Sequence, residues 1–249
     1  MSAPVHPFLD WPFPIPFAHR GGASDAPENT MAAFEYAIDL GYRYIETDVQ
    51  VTSDGVLVAF HDFNLKRTCG IDKRISDMSW SELSTARVDG KAAIPTLDEM
   101  LHAWPEARVN VDCKTDLAVD ALVNCLQQHA ALDRVCVGAF NDRRLQKLRA
   151  ALGVGLCTSL GPRGVSSLLF GRMRATAAMA AQVPVRQGPL TVISPRFMTR
   201  ANRLGLQVHA WTIDDTTEMH RLLDLGVHGI MTDKPAVLRD VLRGRGMWA

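Results

Sequence analysis

Tyr42-Arg-Tyr-Ile-Glu-Thr-Asp-Val-Gln-Val51 is rich in β-branched and aromatic residues, and Gly41 and Ser53-Asp-Gly55 bound it. A run of this kind reads as a buried β-strand. Alternate side chains on a strand share a face, so Glu46 and Asp48 point the same way. Two carboxylates side by side on an apolar strand repel each other and lose hydration. A cation between them relieves both penalties. The pair is therefore a candidate site for a metal that takes hard oxygen ligands.

Outward from this strand, short apolar runs alternate with helical patterns. The strand-like runs are Pro16 to Ala18, Tyr44 to Val51, Arg108 to Cys113 and Arg134 to Val137, then Val154 to Thr158, about Ala181 to Val185, Gln207 to Thr212 and His228 to Met231. Amphipathic stretches lie between them, among them Thr30 to Leu40, Leu117 to His129 and Asp215 to Leu225. Eight strands separated by helices predict a parallel sheet, and the count suits a closed (β/α)8 TIM barrel. A doubly wound open sheet is the alternative, but the Gly-rich phosphate turn it would normally carry is absent. Residues 56–94 break the alternation and read as a small insertion between the second strand and the second helix. Pro4, Pro7, Pro12, Pro14 and Pro16 predict an extended N-terminal arm that is neither regular helix nor central strand. Gly41, Gly153, Gly205 and Gly226 follow helical runs and suit left-handed caps.

The chain of 249 residues suits one large domain spanning 1–249. Its formal net charge of +0 gives no global field for nucleic acid or an anionic membrane, so attraction for a phosphate must be local. Five cysteines without a CxxC pair argue against a disulfide framework or a zinc cluster. The N-terminus has no basic and apolar leader pattern, and no apolar stretch approaches the ~20 residues needed to span a bilayer. The expected location is the cytoplasm, with no stable membrane insertion and no nucleic-acid partner.

Polar residues gather where such a barrel would use them. His19 follows the first strand, Glu46 and Asp48 lie late in the second, and Asp112 and Lys114 end the third. Trp211 ends the seventh strand and Asp233 follows the eighth. In a (β/α)8 barrel these ends converge on the face that carries the active site. Taken alone, Asp112 and Lys114 could be a structural ion pair. Beside Glu46 and Asp48, Asp112 is favoured as the third metal ligand and Lys114 as a phosphate contact. Three carboxylates and few imidazoles favour one Mg²⁺ or Ca²⁺ over Zn²⁺.

His19-Arg20-Gly21, Pro27-Glu28-Asn29-Thr30, Glu46-Thr47-Asp48-Val49, Ser53-Asp54-Gly55 and His61-Asp62 together resemble the glycerophosphodiester phosphodiesterases. Asp112-Cys113-Lys114, Trp211-Thr212 and Thr232-Asp233-Lys234-Pro235 extend the likeness to the last turn. The resemblance implies metal-dependent hydrolysis of glycerophosphodiesters to glycerol 3-phosphate and an alcohol, with His19 and His61 as the acid–base pair and the 56–94 insertion as a small cap near the barrel mouth. One departure is Asp112, where the family commonly has glutamate. Each histidine follows an apolar run and precedes a charged residue, which sets the two apart from His6, His102, His129 and His220. Arg20 can hold a phosphate oxygen with its fork of donors. Asn29 reads equally as a substrate contact or as the cap of the following helix. Trp211 reads as one wall of a ligand pocket. Leu168, Leu169 and Phe170 read most simply as a buried helix face; a lipid-touching loop there would instead signal a lysophospholipase D. A silent phosphate-binding barrel is disfavoured because it needs no acid–base pair.

Overall fold

The computed structural model describes residues 6–248. Eight parallel strands form the barrel: β1 (Ile15–Ala18), β2 (Tyr44–Val51), β3 (Arg108–Cys113), β4 (Val135–Gly138), β5 (Cys157–Thr158), β6 (Ala180–Pro184), β7 (Gln207–Trp211) and β8 (Gly229–Thr232). They pair in the order β5-β4-β3-β2-β1-β8-β7-β6. A bridge from Ser159 to Ala180 closes the ring, supported by Leu160 N–H donating to the Ala180 carbonyl at 2.8 Å. The eight covering helices are α1 (Met31–Asp39), α2 (Leu97–Ala103), α3 (Ala118–Gln128), α4 (Asp142–Leu152), α5 (Pro162–Leu169), α6 (Pro195–Arg203), α7 (Thr216–Leu225) and α8 (Pro235–Gly244). The predicted TIM barrel is the observed fold. Among the described residues, no helix is long and apolar enough to cross a membrane.

Local chemistry sets the helix ends. Thr96 and Glu99 form a reciprocal capping box at α2, and the Asp215 carboxylate accepts the Glu218 N–H at α7. Gly226 closes α7 at φ 83°, a left-handed conformation that glycine takes without steric cost.

The N-terminal arm plugs the barrel floor. Its 3₁₀ turn Pro7–Leu9 places Phe8 edge-on to Tyr44 at 5.3 Å, and the Tyr44 hydroxyl donates to the Phe8 carbonyl. Pro16, which the sequence places both at the end of the proline arm and at the start of the first strand-like run, lies within β1. Ile15 N–H bonds to the His228 carbonyl, and pairing with β2 begins only at Phe17, so the missing N–H of Pro16 costs no ladder bond. Pro4 lies outside the described residues. The fifth strand is shorter than expected: only Cys157–Thr158 pairs, while Gly153 and Gly155 turn the chain and leave Val154 97% exposed.

The segment between β2 and α2 returns antiparallel along β2 through Leu57–Ala59, with Val49 opposite Ala59. It then folds over its own small core of Val58, Phe60, Leu65, Ile75, Leu83 and Val88. Phe60 N–H donates to the Asp48 carbonyl, and Gln50 Nε2 donates to the carbonyls of His61 and Asp62. These bonds fix His61 beside β2.

Candidate active site

At the C-terminal end of β1 the chain enters a tight turn, His19–Gly21, in which Arg20 takes the left-handed φ of 52°. Such a conformation costs a bulky residue about 1–3 kcal/mol. Gly21, at φ 83°, packs so closely on α1 that a Cβ would lie 2.7 Å from the Cβ of Ala33. The strained turn aims the Arg20 N–H at Glu46 Oε2, 3.1 Å away. It also sets His19 Nε2 3.8 Å from the same oxygen.

β2 and β3 supply the carboxylates in register, with Glu46 opposite Asn110 and Asp48 opposite Asp112. Lys114 Nζ bridges the aspartates, 2.7 Å from Asp48 Oδ1 and 2.6 Å from Asp112 Oδ2. Arg20 reaches Glu28 at 3.0 Å, and its Nε lies 3.2 Å from Asp48 Oδ2. That last approach lacks hydrogen-bond alignment. Arg20 Nε and Asp112 Oδ1 are thus buried polar atoms with no hydrogen-bond partner among the described residues.

Both histidines have a carboxylate behind them. His19 Nδ1 lies 2.6 Å from Asp233 Oδ1, and His61 Nδ1 lies 2.6 Å from Asp62 Oδ1. Arg67, from the insertion, holds Asp62 and also Glu28. Each brace leaves Nε2 as the imidazole nitrogen available for proton transfer.

The electrostatics follow from this crowding. Burial, and then the Asp48 charge, push the Glu46 carboxyl up to about 7. Burial also works against the Asp48 carboxylate, but Lys114 and then Arg20 hold its pKa below the ordinary value. Burial depresses the His19 imidazolium, yet Glu46 and Asp233 together lift its pKa above 6.5. Burial opposes the Lys114 ammonium too, and Asp48 and Asp112 outweigh it and raise its pKa.

His19, Arg20, Glu46, Asp48, His61, Asp112, Lys114 and Trp211 all line one cleft of about 510 Å³ at the barrel mouth. Asn29 does not. Its side chain is 1% exposed, donates to Asp48 Oδ2 at 3.0 Å and accepts from Thr47 at 2.8 Å, so it orients Asp48. Nor does it cap α1, because Thr30 does. A further correction concerns α5. Only Leu168 is buried there, while Val165, Leu169 and Phe170 face the cleft. The braces Asp233 and Asp62 had no assigned role in the sequence. The His-Asp adjacency at 61–62 was the local signal for one of them, and the place of Asp233 just after the eighth strand was the signal for the other.

A divalent cation suits this donor set. Asp112 Oδ1 lacks a hydrogen-bond partner among the described residues, and Glu46 is buried beside the Asp48 carboxylate, so burial and then that charge raise its pKa. As placed, no three acidic, imidazole or thiol side chains among the described residues enclose a common point, and Lys114 Nζ occupies the space between Asp48 and Asp112.

The family model for the glycerophosphoryl diester phosphodiesterase family matches residues 19–237. The chain belongs to that family. A Mycobacterium tuberculosis protein named "Probable glycerophosphodiester phosphodiesterase 2" is 38% identical, over 99% of this chain and 97% of its own. The mouse protein named "Lysophospholipase D GDPD1" is 27% identical, over 90% of this chain and 85% of its own. An Oleispira antarctica phosphodiesterase, solved in complex with the product sn-glycerol-3-phosphate, shares the fold. Its TM-score is 0.80 at 24% identity, covering 93% of this chain and 97% of that one.

Proposed function

We propose that the protein hydrolyses glycerophosphodiesters to glycerol 3-phosphate and an alcohol. The observation that carries this reading is the pairing of two carboxylate-braced imidazoles with two buried carboxylates, Glu46 and Asp48, the half-buried Asp112 and two cations around one cleft. In the proposed chemistry, His19 and His61 divide the proton work. One takes the proton from the attacking hydroxyl through Nε2, and the other returns one to the leaving oxygen. Asp233 and Asp62 fix the tautomers and steady each imidazolium. Arg20 and Lys114 orient the phosphate oxygens and offset the charge that builds in the transition state. Glu46, Asp48 and Asp112 would hold one Mg²⁺ or Ca²⁺. When bound, that ion supplies Lewis-acid stabilisation of the phosphoryl oxygens.

A second reading, hydrolysis of monoacyl phosphodiesters in the manner of a lysophospholipase D, is favoured by the apolar cleft wall of Val165, Leu169 and Phe170. Product analysis with glycerophosphocholine and lysophosphatidylcholine side by side tests both. Release of glycerol 3-phosphate from the first supports the main reading. Preference for the lysolipid by about tenfold or more supports the second. Hydrolysis of neither overturns both.

A further inference from the structure

The exposed apolar side chains are not scattered. Among the described residues, seven large hydrophobic side chains stand exposed, and four of them, Phe63, Phe140, Phe170 and Leu190, line the clefts at the barrel mouth. A fifth, Leu117, sits just beyond β3 on the same face. Phe170 is 56% exposed and Leu190 48%, although both belong to the wall of the catalytic cleft. Exposed apolar clusters of this kind mark interaction surfaces.

Charge is unevenly distributed along the chain. The chain is neutral overall, yet residues 143–213 contain eleven Lys and Arg and no Asp or Glu. Three of these arginines border the apolar rim. Arg163 is exposed at the start of α5, Arg172 lies over the Phe170 ring at 6.0 Å, and Arg186 stands at the base of the hairpin that carries Leu190. Among the described residues, none of the three is within ion-pair distance of a carboxylate.

We propose that this arc, with Phe170 and Leu190 at its centre and Arg163, Arg172 and Arg186 around them, seats the barrel mouth on an anionic lipid surface. Two features select that partner. Apolar tips flanked by unpaired cations match an interface with acyl chains below and negative head groups above. The apolar wall also runs from the rim into the cleft, so an amphiphile leaving the surface stays in apolar contact on its way to His19 and His61. Duplex DNA would meet the same cations but, with its bases stacked inside, would find no use for Phe170 and Leu190. The docking is peripheral and reversible.

Co-sedimentation of the full chain with sucrose-loaded vesicles tests this without turnover, so the result stands apart from the hydrolase reading. The two vesicle compositions are phosphatidylcholine alone and phosphatidylcholine mixed with phosphatidylglycerol. Binding to the mixed vesicles should exceed binding to the neutral ones by at least about tenfold and fall with added salt. Arg172→Gln and Arg186→Gln should each weaken it about fivefold. Phe170→Ser with Leu190→Ser should weaken it by about tenfold or more. Val154→Ser, exposed near the opposite end of the barrel, should change nothing. Equal binding to both vesicle types, no binding to either, or wild-type binding by the rim variants would overturn the proposal. So would duplex DNA binding in place of vesicle binding.

Discussion

His19 Nδ1 and Asp233 Oδ1 are 2.6 Å apart although 214 residues separate them in the chain. The contact exists because β1 and β8 are neighbours in the closed ring, with Ala18 opposite Thr232. The Asp233 position is itself fixed by its N–H donating to Asp214 Oδ1 at 2.8 Å. Asp233→Asn keeps the shape and removes the charge that helps lift the His19 pKa. We expect kcat to fall by at least about tenfold, within the span general acid–base catalysis supplies. The limb of the pH–rate profile due to His19 should move to lower pH. A kcat loss with an unmoved profile would make Asp233 merely structural.

His19→Ala and His61→Ala should each lower kcat by about 10²–10⁴-fold. Neither is assigned as a ligand, so metal binding measured by calorimetry should largely survive. Near-normal turnover in either variant would remove it from the acid–base pair.

Asp48→Asn should abolish metal-dependent turnover in a protein that remains folded by circular dichroism. Asp112→Glu should retain metal binding if this position is a ligand, because the longer side chain keeps the same donor on the same strand. Calorimetric titration with Mg²⁺ and Ca²⁺ reads both variants. Full metal affinity in Asp48→Asn would remove that carboxylate from the ligand set.

His209, fully buried between β6 and β8, shapes the acid stability. Burial, and then nearby His228, hold its pKa down at about 3 against an ordinary 6.5. The unfolded chain therefore takes up a proton that the folded protein refuses. The stability is complete above pH 6.5 and is lost as pH falls toward about 3, with a slope near 1.4 kcal/mol per pH unit. His209→Gln should remove that slope. In urea titrations at pH 7 and pH 5, the wild type should lose about 2 kcal/mol more than the variant. Equal losses would show that His209 does not carry the dependence.

Much of the site was legible because β-strand geometry is periodic. Residues two apart share a face, so Glu46 with Asp48, and Asp112 with Lys114, could be placed without coordinates. Adjacent strands then put Asp48 beside Asp112. Three features were not legible. Asn29 and Thr30 are both good caps, and only the backbone shows that Thr30 takes the role while Asn29, at φ 55°, turns inward to Asp48. An apolar helix stripe such as Leu168 to Phe170 looks the same in sequence whether it faces a core or a cleft. The Arg67 contacts with Glu28 and Asp62 join two loops and follow no period.

The central claim is phosphodiester hydrolysis at the His19–His61 centre. Phosphorus NMR of glycerophosphocholine incubated with the purified protein tests it most directly, with Mg²⁺ or Ca²⁺, with chelator, and with the His19→Ala variant. Loss of the diester signal and growth of glycerol 3-phosphate are expected only for wild type with metal. An unchanged diester signal with metal present, or equal turnover in chelator, would contradict it.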